Sequence, residues 1–232
     1  MIIVHHLNNS RSQRILWILE ELGIQYEIKH YQRGKDQLAP KELRDVHPLG
    51  KSPVITDTER NEVVAESGVI IDYLIKYYGK GRGVPKPEDA DADNFWKQFS
   101  EASIMPTLVM KLVFIIIPTQ APFFVRPIVN IITSQVQQRF TDPDVKRKTK
   151  FIADELEKRS KDGRAWFAGG DSSGEPTAAD YQMLFPLEAL TSGRVDTGIV
   201  PQSIKNWVEW VHARPAYRRA YEKGGPYDYA KL

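Results

Sequence analysis

Hydrophobic residues in the first third of the chain switch between two periods. Ile2 to Leu7 is a short β-rich run without helical spacing. From Ser10 the spacing changes: Ile15, Ile18, Leu19 and Leu22 recur at helical intervals, and Gly23 ends the run where a C-cap glycine belongs. Gln25 to Tyr31 alternates as a strand does, with Tyr26 and Ile28 on one face, and Pro40 to Val46 fits a short helix. Pro53 to Thr56 and Glu62 to Ala65 read as two strands around a polar turn, and Ser67 opens an apolar helix through Ile70, Tyr73, Leu74 and Tyr77. The order β-α-β-α-β-β-α predicts a small mixed sheet with helices on its faces.

Gly79-Lys80-Gly81-Arg82-Gly83-Val84-Pro85-Lys86-Pro87 has the composition of a linker. Beyond it the strand pattern fades. Helical spacing is carried by Trp96 and Phe99, Leu108 to Ile117, Val125 to Phe140, Val145 to Leu156, Ser203 to Ala213 and Ala216 to Glu222. Thr177-Ala178-Ala179-Asp180 approximates a capping box ahead of another helix. The expected organisation is an α/β unit over 1–80, a linker over 81–90 and an all-helical unit over 91–232.

Composition narrows the chemistry. The 232 residues include 32 basic and 30 acidic side chains, a net charge of +2, so nothing in the charge asks for a nucleic-acid partner. The cations at Lys146, Arg147, Lys148 and Lys150 are followed by Asp154, Glu155 and Glu157, the mark of a solvated helix face. No cysteine is present, which excludes a zinc-thiolate site, an iron–sulfur cluster and redox cycling on the protein's own thiols. Met1 to Val4 is too short an apolar run for a secretory signal, so a cytoplasmic protein is expected. The longest apolar tract, Pro106 to Thr133, is interrupted by Lys111, Pro118, Gln120, Pro122, Arg126 and Pro127, and reads as a buried helical pair with no transmembrane segment.

Three short motifs carry candidate chemistry. Ser10 and Ser12 lie between the first strand and the first helix, where a hydroxyl caps the helix or joins its N-terminal N–H groups in holding an anion; spacing alone leaves both open. His47-Pro48-Leu49-Gly50-Lys51-Ser52-Pro53-Val54 leads into a strand with a proline at its start, either a plain loop proline or a cis one that leaves its neighbour's backbone for a peptide-like ligand. Glu66-Ser67-Gly68 opens the third helix, where amide N–H groups suit a carboxylate and Glu66 suits an ammonium; an ordinary N-cap has the same pattern.

Taken together these motifs resemble the glutathione transferases, over nearly the whole chain. The matching segments are Ser10-Arg11-Ser12-Gln13-Arg14-Ile15-Leu16-Trp17, Glu20-Glu21-Leu22-Gly23, Pro48-Leu49-Gly50-Lys51-Ser52-Pro53, Glu66-Ser67, Thr177-Ala178-Ala179-Asp180 and Ala213-Arg214-Pro215-Ala216-Tyr217. The pattern is most similar to cytosolic, serine-type members from fungi and bacteria. The resemblance implies a thioredoxin-like glutathione-binding domain followed by a helical domain, acting in detoxification as a homodimer. By the same resemblance Ser10 matches the hydroxyl that meets the glutathione sulfur, with Ser12 the fallback. Pro53 matches the cis-proline, Val54 the residue whose backbone pairs with the cysteinyl part, Glu66 and Ser67 the holders of the γ-glutamyl end, and Lys51 a contact to the other end. The glycyl carboxylate has no clear match; Gln37 and Lys41 are the stand-ins considered.

The resemblance implies conjugation of glutathione to hydrophobic electrophiles, with glutathione as co-substrate and no metal. Reduction of organic peroxides with glutathione is compatible with the absent cysteine. A non-catalytic carrier of hydrophobic ligands, or a regulatory protein on the same fold, is the alternative. Met105, Leu108 and Val109 are expected to line the apolar pocket, and surface beside them to close a dimer.

Overall fold

β1 (Ile2–Leu7) has a partner on both edges, and the sheet grows outward from it in the order β2-β1-β3-β4. β2 (Tyr26–Tyr31) runs parallel to it, with Ile2 opposite Tyr26 and Leu7 opposite Tyr31. β3 (Val54–Asp57) lies antiparallel on the other edge, and β4 (Glu62–Ala65) pairs antiparallel with β3. The period of two divides β1 between two cores. Ile2 and Val4 join the main core with Ile15, Leu19, Ile70 and Leu74, whereas Leu7 packs with Tyr31 and Leu43 of the short α2 (Leu43–Val46). The computed structural model describes residues 1–169, 174–193, 195 and 198–230.

α1 (Ser12–Leu22) is buried nearly all round, polar Ser12, Gln13 and Arg14 included. The sheet takes one side and helices of the later chain take the other: the Trp17 ring lies 4.6 Å from Tyr181 and 6.2 Å from Tyr217. The helix ends as its sequence predicts, with Gly23 at φ 67 and Ile24 N–H donating to Leu19 O at 2.9 Å. Its two terminal carboxylates fasten it to the chain's last helix. Arg214 Nε lies 2.5 Å from Glu21, and Arg219 Nε lies 2.7 Å from Glu20. The Glu20-Glu21 and Arg214-Pro215 motifs are therefore two halves of one contact. α3 (Ser67–Tyr78) completes the helices packed on the sheet.

The later chain is helical: α4 (Ala90–Gln98), α5 (Met105–Gln120), α6 (Arg126–Val136), α7 (Asp142–Lys161), α8 (Ala178–Thr191), α9 (Gln202–His212) and α10 (Pro215–Gly224). A π-helical stretch, Phe99–Ile104, joins α4 to α5, and another, Gln137–Thr141, joins α6 to α7. The architecture is a thioredoxin-like α/β layer followed by a helical region, as expected from the sequence.

One expectation needs correction. The apolar tract 106–133 does form a helical pair, but the pair is not buried. Val109, Met110, Val113, Ile116 and Ile117 of α5, Phe123 and Phe124 of the turn, and Ile128, Ile131 and Ile132 of α6 are all exposed. The hairpin projects, so only one side of α5 finds protein to pack against.

The capping box at Thr177 forms with both reciprocal bonds. Asp180 accepts from Thr177 N–H at 2.9 Å and from Phe167 N–H at 2.7 Å, pinning the preceding loop to α8. Asp180→Ala strands two buried donors and is expected to cost about 2–4 kcal/mol. The urea midpoint measures it; an unchanged midpoint would show that the loop finds other acceptors.

Candidate active site

The strand registers bring three segments to one end of the sheet. β1 ends at Leu7, and β3, antiparallel to it, starts with Val54 opposite His5; β4 ends with Ala65 opposite Val54. The turn after β1, the turn before β3 and the β4–α3 junction therefore converge. Ser52 locks two of them together, donating to His5 O at 2.8 Å and accepting from Leu7 N–H at 3.2 Å. The Ser52–Pro53 peptide is cis.

Two adjoining cavities open here. The larger, about 490 Å³, is lined by Lys51, Pro53, Val54, Glu66 and Ser67, with Arg11, His47, Asp72, Lys97 and Glu101. The smaller, about 150 Å³, is lined by Ser10, Met105, Leu108, Val109, Leu112 and Phe185. Arg11 and Ser52 border both. Each candidate residue thus reaches one cavity except Ser12, which reaches neither; Gln37 and Lys41 also lie outside both linings. His47, quoted in the motif before β3 but given no role there, lines the larger cavity with Lys51.

The two serines differ in what they already hold. Ser10 Oγ lies 2.7 Å from Leu7 O and 2.7 Å from Ser12 Oγ, and accepts from Ser12 N–H at 3.2 Å. Ser12 Oγ lies 2.8 Å from His6 Nδ1. Burial first, and the neighbouring His30 second, push the His6 imidazole down to about 4, so it is neutral at pH 7. With the ring proton on Nε2, His6 accepts the only proton of Ser12 (the tautomer is assigned from this bonding). Ser10 faces a cavity, and Ser12 faces a histidine.

At the β4–α3 junction Glu66 holds φ 69, a left-handed conformation that costs a non-glycine residue about 1–3 kcal/mol and tends to mark functional sites. Beside it Ser67 Oγ accepts from Arg14 NH2 at 2.7 Å, which leaves its own proton to donate to a ligand. Arg14 is fully buried; it also donates to Gln182 O at 2.7 Å and pairs with Glu101. Arg11 Nε lies 3.3 Å from the other Glu101 oxygen, and its guanidinium sits 5.2 Å over the Phe185 ring. Burial raises the Glu101 carboxyl, but Arg14 and then Arg11 outweigh it and hold the group below the usual carboxylate range.

The cavity's charges are therefore mostly spoken for. Arg11 pairs with Glu101 and Lys97 with Asp72 at 3.0 Å. Among the described residues no ion pair joins Lys51 or Glu66. One cation and one anion at the rim, with the Ser67 hydroxyl between elements, suit an elongated ligand carrying an ammonium and carboxylates. Among the described residues no group of three or more His, Asp or Glu side chains is arranged for a metal.

Arg14 and His47 lie inside the quoted motifs without a role assigned from sequence, and Glu101, His6 and Phe185 lie outside any assigned site. Arg14 had a signal: a cation that directly precedes the apolar run Ile15 to Leu19 on one helix needs a counter-charge if that run is buried. Glu101 had none, lying 87 positions away in the chain.

Because folding lowers the His6 value from the ordinary 6.5 to about 4, the unfolded chain binds a proton that the folded one refuses between those limits. The associated stability is present above the upper limit and lost as pH falls through the window, to about 3 kcal/mol at 1.36 kcal/mol per pH unit. His6→Gln should flatten this slope, seen as a smaller fall of the urea midpoint between neutral and mildly acidic buffer. His5, lowered by its own burial and by Lys29, keeps its share. Identical slopes in variant and parent would refute the assignment.

A family profile for the glutathione S-transferase N-terminal domain matches residues 10–76. The chain is 35% identical to glutathione S-transferase 3 of Schizosaccharomyces pombe over 225 residues, 96% of this chain and 88% of that one. It is similar to the crystal structure of a glutathione S-transferase from Actinobacillus pleuropneumoniae, with 30% identity, a TM-score of 0.74 and coverage of 96% of this chain and 92% of that one. A glutathione transferase homolog from Lodderomyces elongisporus, solved with two GSH per subunit, shares the fold at 19% identity and a TM-score of 0.72, covering 95% of this chain and 97% of that one.

Proposed function

The chain belongs to the glutathione S-transferase family, and from that premise we propose that it activates the glutathione thiol through Ser10 and conjugates it to apolar electrophiles. The observation that carries this is the adjacency of the two cavities. Arg11 and Ser52 border both, and Ser10 stands in the smaller one beside Met105, Leu108 and Val109. A peptide laid in the polar cavity would present its sulfur where the apolar one begins.

In this reading Glu66 meets the γ-glutamyl ammonium and Ser67 donates to its carboxylate. The Val54 backbone pairs with the cysteinyl part, and Lys51 with His47 faces the glycyl end. Ser10 donates its proton to the sulfur in place of Leu7 O, while Ser12 stays committed to His6. A thiol of pKa about 8.5 is only a few per cent ionised at pH 7. Lowering it by about two units requires roughly 2.7 kcal/mol of preference for the thiolate. A hydrogen bond to a charged group contributes about 1.5–3 kcal/mol, and the nearby N-terminus of α1 about 0.3–1. The Ser12 N–H bond to Ser10 Oγ polarises the hydroxyl and makes it the better donor. The thiolate then attacks the electrophilic carbon, and the departing group or added proton balances the charge.

Organic peroxides are a second substrate class for the same thiolate, with two glutathione molecules oxidised to the disulfide as the peroxide becomes an alcohol and water. The dimer implied by the resemblance is proposed to use the exposed apolar side chains of β4, α3 and α4: Val63, Val69, Tyr77 and Phe95.

Ser67→Ala should weaken glutathione binding by about 1–3 kcal/mol, a charged hydrogen bond's worth; wild-type affinity by calorimetry would sink the assignment. Ser10→Ala should keep glutathione bound, raise its thiol pKa toward the free value, and lose turnover near neutrality that returns in alkaline buffer. Ser12→Ala is the comparison, and a larger loss there would exchange the two roles. Met105 is core-like in its burial, so Val109, 45% exposed at the pocket edge, is the better probe. Val109→Asp should raise KM for an apolar electrophile and leave KM for glutathione unchanged; equal effects on apolar and polar electrophiles would remove it from the pocket.

A further inference from the structure

Among the described residues the α5–α6 hairpin holds the largest group of exposed large apolar side chains. Exposure is greatest at its tip, where Phe123 is 83% and Phe124 69% exposed with their rings edge to face at 5.6 Å, and it stays between 41% and 60% for the exposed apolar side chains of both helices, Val109 to Ile117 on α5 and Ile128 to Ile132 on α6. This is the profile of a protrusion. Apolar side chains exposed at the turn and along both helices that lead to it suit entry of that end into a lipid interface.

Charge points the same way. From residue 102 to residue 141 there is no acidic side chain, and the charged residues are Lys111, Arg126 and Arg139. Lys111 is taken inward, 2.5 Å from Asp142, which leaves Arg126 and Arg139 exposed near the tip and on the returning arm. A basic fringe on an apolar protrusion complements a bilayer with anionic headgroups.

The helical run Pro87–Gln120 is long and apolar enough to cross a membrane, with 33% of its most apolar window buried. Crossing is opposed by how α5 is held. Thr107 Oγ1 donates to Asp144 at 2.7 Å, and Lys148 reaches both Thr107, at 2.7 Å, and the Ser103 carbonyl, at 2.9 Å. Those polar contacts tie one side of α5 to α7, and only the other side and the tip are left for lipid.

We propose that the α5–α6 hairpin docks this protein peripherally onto membranes containing anionic lipid, its tip entering the interface without spanning it. The occupant is a bilayer, and the surface lies apart from the β4, α3 and α4 side chains assigned above to a dimer.

The test is flotation of the full chain with phosphatidylcholine vesicles, with and without phosphatidylserine. The chain should float with the phosphatidylserine vesicles, less so as salt rises. Phe123→Glu combined with Phe124→Glu should lower that partition by about tenfold or more. Both positions are solvent-facing, so thermal midpoint and glutathione binding should not move. The proposal is overturned if the wild-type chain fails to float, if it floats equally with both vesicle types, or if the double variant floats as well as the parent. It is also overturned if the variant's one change is loss of a dimer in sedimentation velocity, because a second copy then covers the hairpin. Glutathione binding on the same samples keeps this outcome separate from the fate of the proposed function.

Discussion

A guanidinium with no access to water dictates how the halves of this molecule meet. Arg14 is buried on α1 and has to find its partners on other elements. It takes Ser67 at the start of α3, Glu101 in the π-helical stretch and the Gln182 carbonyl in α8. Breaking such a pair by removing one partner costs about 3–5 kcal/mol, because a buried charge is left uncompensated. All three elements must therefore arrive in one geometry. That geometry also sets the orientation of Ser67, so the interaction that joins the sheet layer to the helices is one bond from the cavity.

The π-helical stretch is explicable in the same terms. A regular helix from Ala90 to Gln120 would set its side chains at fixed intervals of about 100°. The widened turns over Phe99–Ile104 shift Glu101 relative to the apolar face that begins at Met105. One continuous rod can then offer a carboxylate to Arg14 and, a turn later, apolar side chains to the smaller cavity. π-bulges often mark functional sites, and here the reason is local.

Much of the sheet layer was legible because its signals are short-range. Strand period, the Gly23 cap and the Thr177–Asp180 box each depend on residues within a few positions of one another, and each appears with its predicted bonds. The convergence of Ser10, Pro53, Glu66 and Ser67 became visible only through a family resemblance, since no local rule links segments so far apart. Which serine faces a cavity was illegible: the choice is made by His6, whose ring follows the pleat of β1 toward α1. The exposure of the hairpin is hidden in the sequence for a different reason. Apolar periodicity reports that a surface avoids water, but it does not report what the surface meets instead.

The near-total burial of α1 bears on how the chain comes off the ribosome. The sheet and its helices occupy the first third of the sequence, yet the outer face of α1 is covered by Tyr181, Tyr217 and the α10 cations, and Arg14 by Gln182. Until those late residues emerge, a nascent thioredoxin-like layer presents Trp17 and an unpaired cation to solvent. The first unit made is thus the last to be finished, and a fragment ending near residue 80 would be a client for chaperones rather than a free-standing domain.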